Sequence, residues 1–249
     1  MKLRKIEVVS AKELLSYDTK INSNVLGYIN NTPNITIWTD SLDNPNGIII
    51  NKDYFKLVCS KNEKFSYNLY KKYRNYKSHI GFSGVSQLVA KPFYDNMHVV
   101  WSNPCYLFTF NDKKIEVKTD KNVRQLRIED AKKVNEFYTY KSSNSLKYIK
   151  DCITKRPALG YEINGKLVSW VLVHSDESMG IMYTVDEYRC MGIAKILTSN
   201  LIKMQLSRGQ LPYVHIVKTN ENSIKLAKSQ GFELYDTVEW FGIVGSNKK

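Results

Sequence analysis

The sequence is poor in the residues that are typical of secreted proteins, fibrous proteins and proteins stabilised by a bound metal. Of its 249 residues only four are cysteine, six are proline and twelve are glycine. The four cysteines are widely spaced, so they make neither a disulfide framework nor a metal-ligand pattern, and four scattered histidines add no cluster. We therefore expect reduced thiols in an intracellular protein and no bound metal.

Long apolar runs are also missing from the sequence. No apolar stretch approaches the roughly 20 residues that a membrane helix requires, so we expect no membrane-spanning segment. The N-terminal segment is basic but has no apolar signal core, and secretion is not expected. With 43% hydrophobic and 24% charged residues, the composition is that of an ordinary globular protein with one large domain or two small ones.

Acidic residues are scarce relative to basic ones. The 37 lysines and arginines outnumber 24 acidic residues, and the formal net charge is +13. The surplus is spread over both halves of the chain, and its densest cluster interleaves basic residues with tyrosines: Tyr70, Lys71, Lys72, Tyr73, Arg74, Tyr76 and Lys77. Such a mixture could bind nucleic acid by stacking and phosphate contacts, but it is more often a solvated helix or strand face. We favour the second interpretation and expect no nucleic-acid partner.

Residue periodicity predicts the secondary structure of the second half of the chain. It predicts, in order, a strand at 123–128, helices at 129–140 and 145–155, a hairpin of 158–163 and 166–174, a strand at 179–184, a helix to residue 208, a strand at 213–217, a short helix ending near 231, and strands at 232–235 and 237–244. The hairpin turn is Asn164-Gly165, a pair that suits a type I′ turn. In the first half, strands are expected at 35–38, 47–50, 54–59 and 99–110, and helices at 11–17 and 86–94.

One stretch, residues 183–194, carries the chemistry. The chain leaves an apolar strand, turns, and enters an amphipathic helix through Arg189-x-x-Gly192-x-Ala194. The first amides of a helix have no internal partner, and the helix dipole makes that end positive. Because Gly192 and Ala194 are small, a ligand can lie against the backbone there, and the group best suited to the turn is a pyrophosphate.

This motif and its surroundings resemble the glycine N-acyltransferase family, within the GNAT superfamily of acyl-CoA-dependent N-acyltransferases. Residues 126–232 carry the resemblance, through Ser169-Trp170-Val171-Leu172, Thr184-Val185-Asp186-Glu187-Tyr188-Arg189, Pro212-Tyr213-Val214-His215, Asn220-Glu221-Asn222-Ser223 and Gly231-Phe232. The resemblance implies an α+β fold: a mixed, mostly antiparallel twisted sheet flanked by helices. It also implies a catalytic domain at 122–249 and a degenerate GNAT-like domain of the same family at 1–121.

The function implied is transfer of an acyl group from acyl-CoA to the amino group of glycine or another small amino acid, by a monomer without metal. Coenzyme A is a polyanion, so the positive charge would speed its approach. The residues implied to hold it are Met182, Tyr183, Thr184, Arg189, Cys190, Met191, Gly192, Ile193, Ala194, Asn220 and Ser223. Family resemblance suggests a mitochondrial protein, with the cytoplasm as the alternative because no clear presequence is visible.

The general base is the weak point of the resemblance. The family places a glutamate at the start of the central strand, but the ungapped position here is Ser178, with Glu177 one residue earlier. We predict Glu177 or His174 as the base that takes the proton of the amine. Many GNAT enzymes protonate the leaving thiolate with a tyrosine, and the matching position is Ala227. The alternatives are a GNAT acetyltransferase acting on protein lysine or a polyamine, an inactive acyl-CoA binder, and a nucleic-acid-binding protein.

Overall fold

The order of secondary-structure elements occurs twice along the chain. The computed structural model describes residues 1–112, 114–117 and 119–245. The first copy comprises β1 (Arg4–Ile6), α1 (Val8–Leu15), α2 (Ser23–Asn31), β2 (Ile37–Thr39), β3 (Gly47–Lys52), β4 (Phe55–Ser60), α3 (Glu63–Tyr73), β5 (Ile80–Ser86), α4 (Gln87–Asn96) and β6 (Val99–Phe110). The second comprises β7 (Val123–Gln125), α5 (Ala131–Glu136), α6 (Ser145–Lys155), β8 (Ala158–Ile163), β9 (Lys166–Val173), β10 (Met179–Thr184), α7 (Ile193–Ser207), β11 (Tyr213–Val217), α8 (Glu221–Ser229) and β12 (Phe232–Ile243).

The strands form two sheets. Eight of them follow the order β1-β2-β3-β4-β5-β12-β6-β11, and four follow the order β10-β9-β8-β7. In the larger sheet β4 and β5 run parallel but share only two register pairs, Phe55 with Gly81 and Lys56 with Phe82. In the smaller sheet every pairing is antiparallel and β10 lies at an edge.

Contacts divide the chain into two compact units. The first unit contains residues 1–108, 215–221 and 234–249, and the second contains 109–214 and 222–233. Several strands therefore have residues in both units. The predicted division into domains at 1–121 and 122–249 stays a prediction.

The first unit has a helix layer on each face of its sheet. Side chains alternate along β3 and β4, so Ile49 and Val58 join a cluster with residues of α3 and α4. Their neighbours Ile48 and Leu57 join a second cluster with residues of α1 and α2. This alternation is the two-residue period of a strand that is buried on both sides.

The second unit is built in the same way around its four-stranded sheet. One face packs against α5 and α6 through a cluster that includes Ile149, Cys152, Trp170 and Leu172. The long helix α7 contacts β8, β9 and β10. Its face toward the protein is buried, with Leu201 completely inaccessible to solvent.

The α+β fold class and most elements of the second half agree with the sequence-based predictions. The hairpin turn lies at Asn164 and Gly165, both with positive φ, as a type I′ turn requires. Two expectations were wrong, and four elements of the first half were missed. The strands predicted at 232–235 and 237–244 are one twelve-residue strand, the helix predicted at 129–140 is the short α5 preceded by a 3₁₀ turn, and the first half contains β1, α2, α3 and β5, which were not predicted. No helix in the described ranges is long and apolar enough to cross a bilayer.

Candidate acyl-CoA site

The edge strand β10 contains a β-bulge. Gly180 pairs with Leu172 and Tyr183 pairs with Trp170, so β10 has one residue more than β9 between the two pairs. Ile181, inside the bulge, has φ +48°, which is rare for a β-branched residue. A bulge leaves the ladder locally unpaired and re-aims the side chains that follow it. The strand therefore offers backbone groups at an edge, next to an interruption of its own ladder.

The turn after β10 opens the N-terminus of α7. Cys190 and Gly192 have positive φ (+62° and +79°), and Gly192 is the residue directly before the helix. No hydrogen bond among the described residues is donated by the backbone N–H groups of residues 190–194. A Cβ atom built on Gly192 would meet nothing within 4 Å. The turn thus presents a run of donors to open space at the positive end of a fifteen-residue helix.

Arg189 braces this turn. Its Nε donates to the carbonyl oxygen of Thr184 at 3.0 Å, and its Nη2 lies 2.7 Å from Asp186 Oδ1. The guanidinium also lies over the ring of Tyr183, 5.4 Å from the centroid. These contacts tie the turn back to the end of β10, so Arg189 supports the donors and is itself engaged with protein groups.

The other predicted cofactor residues on β10 are fixed by their neighbours. Thr184 Oγ1 is 2.7 Å from Ser169 Oγ, which donates to the Tyr183 carbonyl at 2.9 Å. Tyr183 stacks on Phe137 and on Trp170, with centroids 4.7 and 5.4 Å apart. Met182 is half-buried in the bulge. Further along the chain, Asn220 belongs to the first unit and Ser223 to the second.

In the first copy of the element order, the helix that corresponds to α7 is α3, and a side chain caps the backbone donors at its start. Between β4 and α3, the side chain of Asn62 accepts a hydrogen bond from the Phe65 N–H at 2.9 Å and caps the helix. Gly192, before α7, has no side chain with which to do this. The donors at the start of α7 are therefore open because of a local difference in sequence.

His174 lies against the start of β10. Its Nδ1 is 2.8 Å from the hydroxyl oxygen of Tyr148 on α6. On the other side of the ring, a Cβ atom built on Gly180 would be 2.5 Å from Nε2, so the imidazole covers that glycine. The half-buried histidine is thus held at the end of β10 that precedes the bulge.

Glu177 has a different environment. It is 3% exposed and has φ +68°. Its carboxylate accepts hydrogen bonds from both terminal nitrogens of Arg208 and from Gln205 Nε2, at 2.8, 3.1 and 3.1 Å. Such a carboxylate would have to leave an ion pair before it could take a proton, so its contacts favour a structural role. Its neighbour Ser178 donates to Asp176 Oδ1 at 2.6 Å.

Three residues at the site were not predicted from the sequence. Ile181 carries no local signal for a bulge, since β-branched residues favour regular strands. Tyr148 and Arg208 become relevant only through partners that lie 26 and 31 positions away in the chain. A hydrophobic pattern cannot identify such pairs.

Comparison with known proteins supports the family suggested by the sequence. Residues 160–241, from β8 to β12, match the family model described as FR47-like protein. This segment is therefore similar to FR47-like proteins. A stretch of 106 residues is 33% identical to human glycine N-acyltransferase-like protein 2 and covers 41% of this chain. The match spans about a third (35%) of the human protein's length.

Solved structures share the fold over nearly the whole chain. A Drosophila protein superimposes with a TM-score of 0.79 at 15% identity, covering 98% of this chain and 99% of the other. A GNAT-family protein of Novosphingobium aromaticivorans gives a TM-score of 0.59 at 18% identity, covering 82% and 90%. The GNAT fold predicted from the motif is therefore confirmed.

Proposed function

We propose that the protein is an acyl-CoA-dependent N-acyltransferase. The observation that carries this proposal is the run of open backbone donors at residues 190–194, at the N-terminus of α7 and beside the bulged edge strand β10. A pyrophosphate can accept several of these hydrogen bonds at once, and the helix dipole favours its charge. The residues present therefore fit the pyrophosphate of coenzyme A.

The position of the pyrophosphate would determine where the rest of the acyl-CoA molecule lies. The pantetheine arm contains amide groups, which can pair with backbone groups along an exposed strand edge such as that of β10. The thioester would then lie near the bulge at Ile181 and Met182. A backbone N–H of residues 182–184 would stabilise the oxyanion that forms when the amine attacks the thioester carbonyl.

For the acceptor, we propose glycine or another small amino acid. Support comes from the segment similar to glycine N-acyltransferase-like protein 2. The rival acceptors are a protein lysine and a polyamine. An inactive acyl-CoA binder is a further alternative, since the position of the family's glutamate is occupied by Ser178.

For the base, we propose His174 in preference to Glu177. Its ring lies against Gly180, at the end of β10 that leads into the bulge, whereas Glu177 is engaged by Arg208 and Gln205. An imidazole is a common general base toward an amine.

The experiment that tests the proposed function is a panel of acyl-CoA donors and amine acceptors, followed by release of free thiol. Acceptors should include glycine, other small amino acids, a lysine peptide and spermidine. Thiol release that depends on an amino acid supports the proposed acceptor, and release with the peptide or spermidine alone supports a rival. Binding of coenzyme A without turnover on any pair supports the inactive binder.

A further inference from the structure

The N-terminus of α2 is buried and has no side-chain cap. Asn22 directly precedes the helix, and asparagine is among the preferred N-cap residues. Its side chain makes no capping bond and donates instead to the carbonyl oxygen of Leu15 at 3.2 Å. Asn22, Ser23 and Asn24 are all less than 9% exposed. The donors of this first turn must therefore be satisfied inside the protein.

Two of the first three backbone N–H groups of α2 have partners. The N–H of Ser23 donates to the Lys20 carbonyl at 3.2 Å, and the N–H of Val25 donates to Asn24 Oδ1 at 2.8 Å. The N–H of Asn24, between them, donates to no group among the described residues. A buried N–H without an acceptor is rare in folded proteins.

The hydroxyl of Ser23 is a second open donor at the same place. Its Oγ is buried and has no hydrogen-bond partner in the part of the chain that the structure describes. Because Cα–Cβ bonds tilt toward the N-terminus of a helix, Ser23 at the first helical position projects this hydroxyl back to the start of α2. Each unpaired buried donor costs free energy, so two on adjacent residues indicate a common acceptor.

The neighbouring side chains hold the turn but cannot cap it. Asn24 Nδ2 donates to the carbonyl oxygens of Ser83 and Gly84 on β5, at 2.9 and 3.1 Å. Both ends of the Asn24 amide are thus engaged, and the side chain of Asn22 is engaged with Leu15. The start of α2 is therefore fixed against the sheet with its two donors already in place.

We propose that the N-terminus of α2 binds a small carboxylate, which accepts one hydrogen bond from Ser23 Oγ and one from the Asn24 N–H. Two donors match the two oxygens of a carboxylate, and the positive end of the helix dipole favours its single charge. A phosphate group has more oxygens and carries up to two charges, which two donors would leave under-satisfied. The site lies in the first unit and does not depend on the acyltransferase function proposed above.

The direct test is nuclear magnetic resonance of the Asn24 amide during titration with acetate. Glycine, methylammonium and chloride are titrated separately at the same ionic strength. We expect acetate to shift the Asn24 amide proton downfield in a saturable way, because that proton gains a charged acceptor. Methylammonium, which has no carboxylate, should leave it unmoved. If acetate gives no saturable shift, or chloride gives an equal one, the carboxylate site is overturned.

The same titrations distinguish two sources of the carboxylate. Acetate and glycine present the same pair of oxygens, but only glycine also carries an ammonium group. Tighter binding of glycine identifies an amino acid as the ligand, and equal or weaker binding identifies a simple carboxylic acid.

A pair of serine variants supplies the second test. Ser23→Ala should weaken acetate binding roughly 10- to 100-fold, the value of a hydrogen bond to a charged group. It should also raise the melting temperature of the ligand-free protein by a few degrees, because a buried hydroxyl without a partner is removed. Ser66→Ala is the matched control, since Ser66 is a buried serine of α3 whose hydroxyl donates to Ser60 Oγ at 2.9 Å.

The control variant should behave in the opposite way. Ser66→Ala should lower the melting temperature and leave acetate binding unchanged, because it removes a hydrogen bond that has no part in the site. If Ser23→Ala also lowers the melting temperature, its hydroxyl has a partner such as a buried water, and the proposal is overturned. Equal acetate affinity in Ser23→Ala and the wild-type protein would overturn it as well.

Discussion

Arg208 and Glu177 form a two-pronged ion pair at the C-terminal end of α7. The two terminal nitrogens of Arg208 donate to the two carboxylate oxygens at 2.8 and 3.1 Å. The guanidinium of Arg208 gains from the position, since a cation is favourable at a helix C-terminus. The pair ties the turn before β10 to the far end of the helix whose beginning forms the candidate phosphate site.

We expect Glu177→Gln to destabilise the protein. Removing one partner of a buried pair leaves the other charge uncompensated, but the Arg208 side chain is 34% exposed and can be rehydrated. The loss should therefore be about 1–3 kcal/mol, measured by denaturant unfolding. Combining it with Arg208→Met should restore part of that loss. If Glu177→Gln keeps its stability and loses turnover 100-fold or more, Glu177 is the base after all.

Coenzyme A should raise the melting temperature. A ligand that binds only the folded state stabilises it by about 2.7 kcal/mol at a concentration 100 times its Kd. The measurement is a thermal unfolding curve with increasing coenzyme A, with adenosine as a control that lacks the pyrophosphate. No shift at millimolar coenzyme A would contradict the proposed site.

Gly192→Glu should abolish this stabilisation while leaving the fold intact. The new carboxylate would occupy the space that the phosphates need and would repel them. Gly209→Glu is a matched control, because Gly209 follows the other end of α7, has φ +68° and also has open space around its Cβ position. Both variants place a side chain at positive φ, so both should lose about 1 kcal/mol of stability. Only Gly192→Glu should lose coenzyme A binding.

The stability contributed by the Asp130 carboxylate, in the 3₁₀ turn before α5, should decrease at acid pH. Burial alone would raise the pKa of the Asp130 carboxyl, but hydrogen bonds from Arg124 and from the Arg127 N–H outweigh it, and the pKa is lowered. A lowered pKa contributes stability above the unfolded value of about 3.9, and this is lost as the pH falls through the folded pKa.

We therefore expect Asp130→Asn to lower the melting temperature by a few degrees at pH 7, with the difference shrinking below about pH 4. Glu129→Gln is the control, as Glu129 is the exposed neighbour in the same turn. A difference for Asp130→Asn that persists unchanged at pH 2.5 would mean that the charge of Asp130 is not responsible.

The parts of the fold that the sequence predicted are those encoded locally. Asn164-Gly165 specifies its own turn, and Gly192 marks the start of α7, since both depend on backbone conformations that few residues adopt. The fold of the second half follows from such signals together with the helical and strand periods. The run of basic residues and tyrosines was harder to interpret. Tyr70 and Tyr73 lie on the same buried face of α3 as Phe65 and Leu69, at helical spacing. Their rings are therefore not exposed for stacking with bases.

The candidate site was predictable only where it consists of backbone. The donors of residues 190–194 depend on a turn motif, whereas the environment of a side chain depends on partners far away in the sequence. Glu177 illustrates the limit: its carboxylate suits a base, but nothing near it in sequence indicates Arg208. The bulge at Ile181 is a second case, because β-branched residues favour regular strands and the residue itself gives no sign of a bulge.

The contrast between Asn62 and Gly192 bears on how such a protein can evolve. Because one element order occurs twice, the chain has two corresponding helix starts, and one of them is closed by the amide side chain of Asn62. Opening or closing such a helix start requires a change in the turn alone, while sheet, helices and core persist. The first copy can in this way contribute strands, helices and core without presenting the open donors that the second copy presents.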